Sequence, residues 1–155
     1  MKKFAFLLMM ILVMGLFCPV QGKTPYLSDE ALQAEARQGF EQILDLWRGG
    51  NYGELYERTI SSGKETKESF VARLAGANLK PACCWEKMQD ARVSAKKENA
   101  VTVRAKVGLE GGGGTEYKTR SYKLVKEDGV WKISQSDILA LSGGSKKKKR
   151  HLRLK

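Results

Sequence analysis

Apolar residues recur at helical spacing early in the chain: Leu32, Ala36, Phe40, Ile43, Leu44 and Trp47 fall on one stripe, with polar residues between them. Ser28 stands ahead of Asp29 and Glu30 as a candidate N-cap, followed by acids that the helix dipole favours. Gly49 and Gly50 stop the pattern. The spacing therefore predicts one long helix from about Ser28 to Arg48. Asn51 with Glu54 reads as a capping box for a short second helix carrying Leu55 and Tyr56. Thr66 caps a third, whose apolar set is Phe70, Val71 and Leu74; Gly76 and Asn78 end it, and Pro81 bars its resumption.

From Trp85 the period is two. Ala91, Val93 and Ala95 alternate with Arg92, Ser94 and Lys96, and then Val101, Val103, Ala105, Val107 and Leu109 alternate with Thr102, Arg104, Lys106 and Gly108. Glu98-Asn99, Gly111 to Gly114 and Asp128-Gly129 supply the three turns of a four-strand antiparallel meander, the last being a strong hairpin signal. Helices first and strands afterwards mean α+β, with the helices covering one face of the sheet. A body of roughly 120 residues buries about two thirds of its surface, enough for one core without staples.

Ahead of this body, Lys2 and Lys3 precede a 14-residue apolar run, Phe4 to Phe17, followed by Cys18, Pro19 and small residues at Val20 and Gly22. That is the layout of a secretory signal cut before Lys23, and the run is short of the ~20 residues a membrane-spanning helix needs. A retained anchor and a lipoprotein are the alternatives; Phe17 before Cys18 speaks against lipid attachment. The chain divides into a signal at 1–22, a domain at 23–142 and a basic tail at 143–155, and its location is exported, periplasmic or extracellular.

Charge changes the picture less than its total suggests. The formal net charge is +11, but Lys146, Lys147, Lys148, Lys149, Arg150, Arg153 and Lys155 carry +7 of it, and the stretch from 23 to 145 sets 19 basic residues against all 17 acids. A nearly neutral body gives no support to specific nucleic-acid recognition. The tail, low in complexity and self-repelling, is a candidate for contact with an anionic membrane surface or polyanion, since each basic residue near such a membrane contributes roughly 1 kcal/mol.

The segment Trp47 to Tyr56 (WRGGNYGELY) closes a long first helix, two shorter helices follow, and the strands end in Glu127 to Ile133 (EDGVWKI). In that order of elements, over about residues 28 to 140, the chain resembles the NTF2-like superfamily. Within it the chain is most similar to the small exported domains of unknown function related to the DUF4878 group. The resemblance implies a curved sheet wrapping the long helix into a cone, often with an apolar pocket at its open end. It implies no reaction, because this fold hosts enzymes, binding modules and dimerisation domains alike, and so leaves a homodimer open.

Enzymes of that superfamily place an Asp, His or Tyr in the pocket. The single His, His151, lies in the tail, and Asp45, Asp90 and Asp137 are candidates by residue type only, Asp45 falling on the solvent side of the first helix. No catalytic residue, cofactor or metal site is assigned. Trp47, Tyr122 and Trp131 border the expected cone and are the candidate ligand-binding residues, with an apolar small molecule as the ligand class; Tyr52 and Tyr56 belong to the same aromatic set, for which plain core packing is the competing account. The function read from these features is an exported small-ligand or protein binding module with a polycationic tail; a cone-fold hydrolase or isomerase is the alternative.

Cys83 and Cys84 are adjacent. Neighbouring α-carbons are only ~3.8 Å apart, below the usual disulfide range, so two reduced thiols are the first expectation and a vicinal bridge or intermolecular pairing the alternatives. No metal-ligand spacing surrounds them. Two glycine-bearing stretches fail as phosphate loops. Ser61 to Lys64 is followed by Glu65, with Arg58 where the first glycine should stand, and Gly111 to Gly114 joins strand to strand.

Overall fold

The apolar stripe forms α1 (Asp29–Arg48), which turns Leu32, Ala36, Gly39, Phe40, Ile43, Leu44 and Trp47 inward. These assignments come from a computed structural model that describes residues 29–61, 63 and 65–143; the expected leader, the Ser28 cap and the basic tail lie outside the described residues. Helix α1 ends where Gly50 takes φ +76°, its N–H bonding Trp47 O at 3.1 Å while the Asn51 N–H bonds Leu46 O at 2.9 Å. That pair of bonds is the glycine-dependent helix stop. Asn51 is thereby committed to ending α1, and its side chain makes no capping bond to α2 (Tyr52–Glu57), so the expected capping box does not form. The Thr66 cap does: its hydroxyl accepts the Ser69 N–H at 3.3 Å and opens α3 (Lys67–Ala75), which buries Phe70 and Leu74 and half-buries Val71.

Two short strands interrupt the helical half, β1 (Thr59–Ile60) and β2 (Lys80–Pro81). A single 3₁₀ turn, Cys84–Glu86, then leads into the meander of β3 (Met88–Lys97), β4 (Ala100–Gly111), β5 (Gly114–Glu127) and β6 (Val130–Ser134), closed by α4 (Gln135–Leu141). The sheet order is β1-β6-β5-β4-β2, with β3 also on β4. β1 pairs parallel to β6 through Thr59 opposite Ile133, and the meander is antiparallel throughout, with Val103 opposite Tyr122 and Leu124 opposite Ile133. Asp128 and Gly129 take φ +51° and +77° between β5 and β6, the left-handed pair that a two-residue hairpin turn requires.

The inward face of β4 is the apolar set expected of it, Val101, Val103, Ala105, Val107 and Leu109, all buried. β3 departs from its pattern. A bulge at Asp90, which has φ +51°, shifts the register between Gln89 and Arg92; Ala91 and Val93 are half-buried and Ala95 is exposed. Beyond its bulge β3 is an edge strand, and edge positions need not be apolar inside. Helix α1 lies against β3, β4 and β6 and closes the core, reaching β6 across Gly39, where Trp131 packs directly on the helix backbone. This is the α+β layout expected, N-terminal helices packed on one sheet, but the sheet is mixed rather than antiparallel, because β1 joins it parallel to β6. No helix among the described residues is long and apolar enough to cross a membrane.

Candidate functional site

Two adjoining clefts run along the outer side of α1 and share Gln42 and Arg58. The larger, about 540 Å³, is lined by Gln42, Asp45, Leu46, Asn51, Glu54, Glu57 and Arg58 between α1 and α2. The smaller, about 240 Å³, adds Glu35, Gln38 and Gly39 from α1, Gly129 from the β5–β6 turn, and Val130 and Trp131 from the start of β6. Arg58 stands at the junction because its backbone is fixed on both sides. Its N–H caps α2 on Glu54 O and Leu55 O at 3.2 and 3.0 Å, and its carbonyl accepts the Ile133 N–H at 3.0 Å. Arg58 is half-buried, and its guanidinium has no ion-pair or hydrogen-bond partner among the described residues, nor does the Glu54 carboxylate.

The other acids of the groove are engaged. Asp45 takes the Lys87 ammonium at 2.7 and 2.8 Å, Glu57 takes Lys67 at 2.6 Å, and Glu35 pairs through one oxygen with Lys126 at 2.5 Å, leaving its second oxygen buried and unpartnered. The hydrogen bond from Lys67 and its charge hold the Glu57 carboxyl below its ordinary value. Among the described residues, therefore, one end of the groove offers a cation without a partner, and its rim a carboxylate without one.

The residues that the sequence singled out are distributed differently. Trp131 lines the smaller cleft, whereas Trp47 and Tyr122 are fully enclosed, 0 % and 1 % exposed, with Phe40 stacked on Tyr122 at 4.8 Å between ring centres. The Trp47 and Trp131 indole N–H groups, the Tyr122 hydroxyl and the Gln135 amide nitrogen are all buried without a partner among the described residues. Unpaired buried donors of this kind usually mark a place where water or a ligand atom completes the bonding. Tyr52 is buried and Tyr56 half-buried, stacked edge-on against Phe70.

Of the candidate acids, Asp45 lies on the solvent side as expected, Asp90 is exposed at the bulge, and Asp137 is half-buried in the first turn of α4. Burial pushes the Asp137 carboxyl up, against the Arg120 and Lys123 charges. Burial likewise pushes the Tyr122 phenol up to about 12; the Arg120 charge opposes this and the Asp137 charge adds to it. Neither residue lines a described cleft. Among the described residues no group of three or more His, Cys, Asp or Glu side chains could hold a metal ion.

Cys83 and Cys84 correct the first expectation of separate thiols: they are bonded to each other, with α-carbons 3.7 Å apart. The backbone accommodates the ring because Cys84 adopts φ +57°, a left-handed conformation that neighbouring cysteines in ordinary extended or helical backbone do not reach. Glu110 anchors the pair, accepting the Cys83 N–H at 3.0 Å and the Arg48 guanidinium at 3.1 Å. The Cys83 N–H, first, and then Arg48 hold the Glu110 carboxyl below its ordinary value. The Gly111 to Gly114 turn joins β4 to β5, strand to strand as expected, and borders a third cleft of about 220 Å³ with Asn78 and Leu79.

Neither Arg58 nor Gln42 carried a sequence signal, since a lone Arg after a short helix and a Gln on a helix's polar face are ordinary. No family model matches the chain, so the likeness to the DUF4878 group rests on residues alone. No curated protein matches it either. Among solved structures it is similar to that of Aln2 from a Streptomyces species, at 16% identity, covering 73% of this chain and 96% of that one with a TM-score of 0.44. A likeness of that degree assigns no chemistry to the chain.

Proposed function

We propose that this chain is an exported small-ligand binding module whose ligand lies in the groove over Gln42 and Arg58, with the polycationic tail as a separate contact to anionic surfaces. The observation that carries the binding site is the half-buried Arg58 at the junction of two clefts, its guanidinium without a partner among the described residues. A guanidinium held in this way suits a carboxylate or phosphate, which it can take through two parallel hydrogen bonds. The surrounding Glu54, Asp45 and Glu57 disfavour a multiply charged anion and suit a ligand that also carries an ammonium group. A small zwitterion, such as an amino acid or short peptide, answers both demands, and the amides of Gln38, Gln42 and Asn51 supply uncharged hydrogen-bonding groups. The charged and amide side chains of the groove favour such a ligand over the apolar one first expected. Room for an apolar guest between Trp47 and Tyr122 would have to open in a core that encloses both.

Nuclear magnetic resonance titration with amino acids and short peptides, beside an acyl and aromatic library, tests the reading. Zwitterions should shift the amides of residues 35–58 and 129–131. Arg58→Gln should weaken their binding about tenfold or more, because a charge-assisted bond is worth ~1.5–3 kcal/mol. Binding confined to apolar compounds, or unchanged in Arg58→Gln, would overturn it.

The hydrolase or isomerase reading has one observation in its favour, the upward displacement of both Tyr122 and Asp137 toward their protonated forms. It ranks second because the described clefts do not reach either group.

A further inference from the structure

We propose that the Cys83–Cys84 bridge is a thiol–disulfide exchange site for a dithiol reductant, and that its opening is transmitted to Trp85. Three features support this. The first is what the bridge cannot do. A disulfide stabilises a fold chiefly by restraining the loop it closes in the unfolded chain, and adjacent residues enclose no loop beyond their own peptide. This bridge is therefore not a staple of the fold.

The second feature is access. Cys84 is exposed, and the 3₁₀ turn that it opens holds Trp85 at 73% exposure, while Trp47 and Trp131 are buried. The third is how the turn is anchored. On one side of the turn the Ala82 N–H bonds Gly108 O at 2.9 Å; on the other the Gly108 N–H bonds Lys87 O at 3.3 Å. Both flanks are thus pinned to the same residue of β4; Cys83 is held further by Glu110 and Glu86 by the Tyr117 hydroxyl, so only Cys84 and Trp85 project. Within that projection the ring holds Cys84 at φ +57°, so breaking the bond frees the backbone to leave the left-handed region and carry Trp85 with it.

The exchange balances in two steps. A thiolate of the dithiol attacks the sulfur of the exposed residue Cys84, forming a mixed disulfide as the Cys84–Cys83 bond breaks, and Cys83 leaves as a thiolate that takes a proton. The reductant's second thiolate then attacks its own sulfur in the mixed disulfide, releasing Cys84, which is protonated in turn. The reductant ends as a cyclic disulfide and the protein as two thiols, with two electrons and two protons transferred.

The test is native-state alkylation of the full chain with iodoacetamide, before and after dithiothreitol, read by mass spectrometry of the peptide spanning Cys83 and Cys84 and by tryptophan fluorescence. Labelling of both cysteines should rise about tenfold or more on reduction. An emission change should accompany it, vanish in Trp85→Phe, and reverse on reoxidation. The Cys83→Ser/Cys84→Ser variant should show the reduced emission, ignore dithiothreitol, and melt within about 2 °C of the parent, as a bridge without loop closure requires. Full labelling without reductant, resistance to dithiothreitol until denaturant is added, or reduction that leaves Trp85 emission unmoved would each overturn the proposal.

Discussion

Gly39 sits inside α1, where replacing Gly by Ala normally adds about 1 kcal/mol of helix stability. Here the opposite is expected. A β-carbon on Gly39 would meet Trp131 Cδ1, Cβ and Cγ at 2.6, 2.7 and 2.8 Å. Carbon atoms rest at ~3.5–4.0 Å, so the methyl overlaps three atoms by about 1 Å each. Trp131 Cβ cannot swing away, because its backbone is held in the β5–β6 ladder opposite Lys126. The overlap is relieved only by parting α1 from β6. Overpacking of this kind costs ~1–3 kcal/mol, and with three hard contacts the upper part of that range applies, leaving Gly39→Ala less stable by about 1–2 kcal/mol after the propensity gain.

Gly53 in α2 is the internal control. An added β-carbon there has only Lys67 Cε within reach, at 3.8 Å, which is ordinary contact, so Gly53→Ala should gain up to about 1 kcal/mol. The two variants should differ by ~2–3 kcal/mol in urea unfolding followed by far-ultraviolet circular dichroism, several degrees in Tm for a domain of this size. Equal stability of the two, or a Gly39→Ala protein more stable than the parent, would refute the close approach of Trp131 to the α1 backbone.

Three further outcomes follow from the same reasoning. Since Tyr122 is protonated in the fold up to a pKa of about 12, its contribution is fully present below pH 10, the ordinary value, and is lost as pH rises from 10 toward 12. The loss should reach roughly 2–3 kcal/mol relative to Tyr122→Phe, read as the difference between the two proteins in denaturant titrations at pH 9 and above 11. Removing residues 146–155 should abolish binding to anionic vesicles while barely moving Tm, checked by co-sedimentation and melting; retained binding would show a basic face on the body. Protein recovered outside the cytoplasm should lack residues 1–22 by intact mass, and a retained Met1 or a lipid on Cys18 would overturn the export reading.

Much of the architecture was legible in the residue pattern because it is governed by short-range physics. The α1 stripe follows from 3.6-residue periodicity, the Thr66 cap from one hydroxyl facing one backbone N–H, and the β5–β6 turn from the tolerance of Asp128 and Gly129 for positive φ. The buried alternation along β4 needed only a sheet with one face covered. Thr59–Ile60 and Lys80–Pro81 are too short to carry a period, and they are strands only because β6 and β4 offer them an edge. The seven residues of α4 gave no signal of comparable length. Asn51 was misjudged because a locally sufficient capping box lost to the closure of the preceding helix. The groove depends on Gln42, Arg58 and Trp131, which come from a helix face, a helix stop and a strand, and no local rule relates such positions until the core brings them together. The joining of Cys83 and Cys84 turned on a left-handed backbone angle at Cys84, within a turn held on both flanks by Gly108, a residue more than twenty positions away. Periodicity and capping are properties of neighbours in sequence, whereas clefts, unpaired cations and pinned turns arise from neighbours in space.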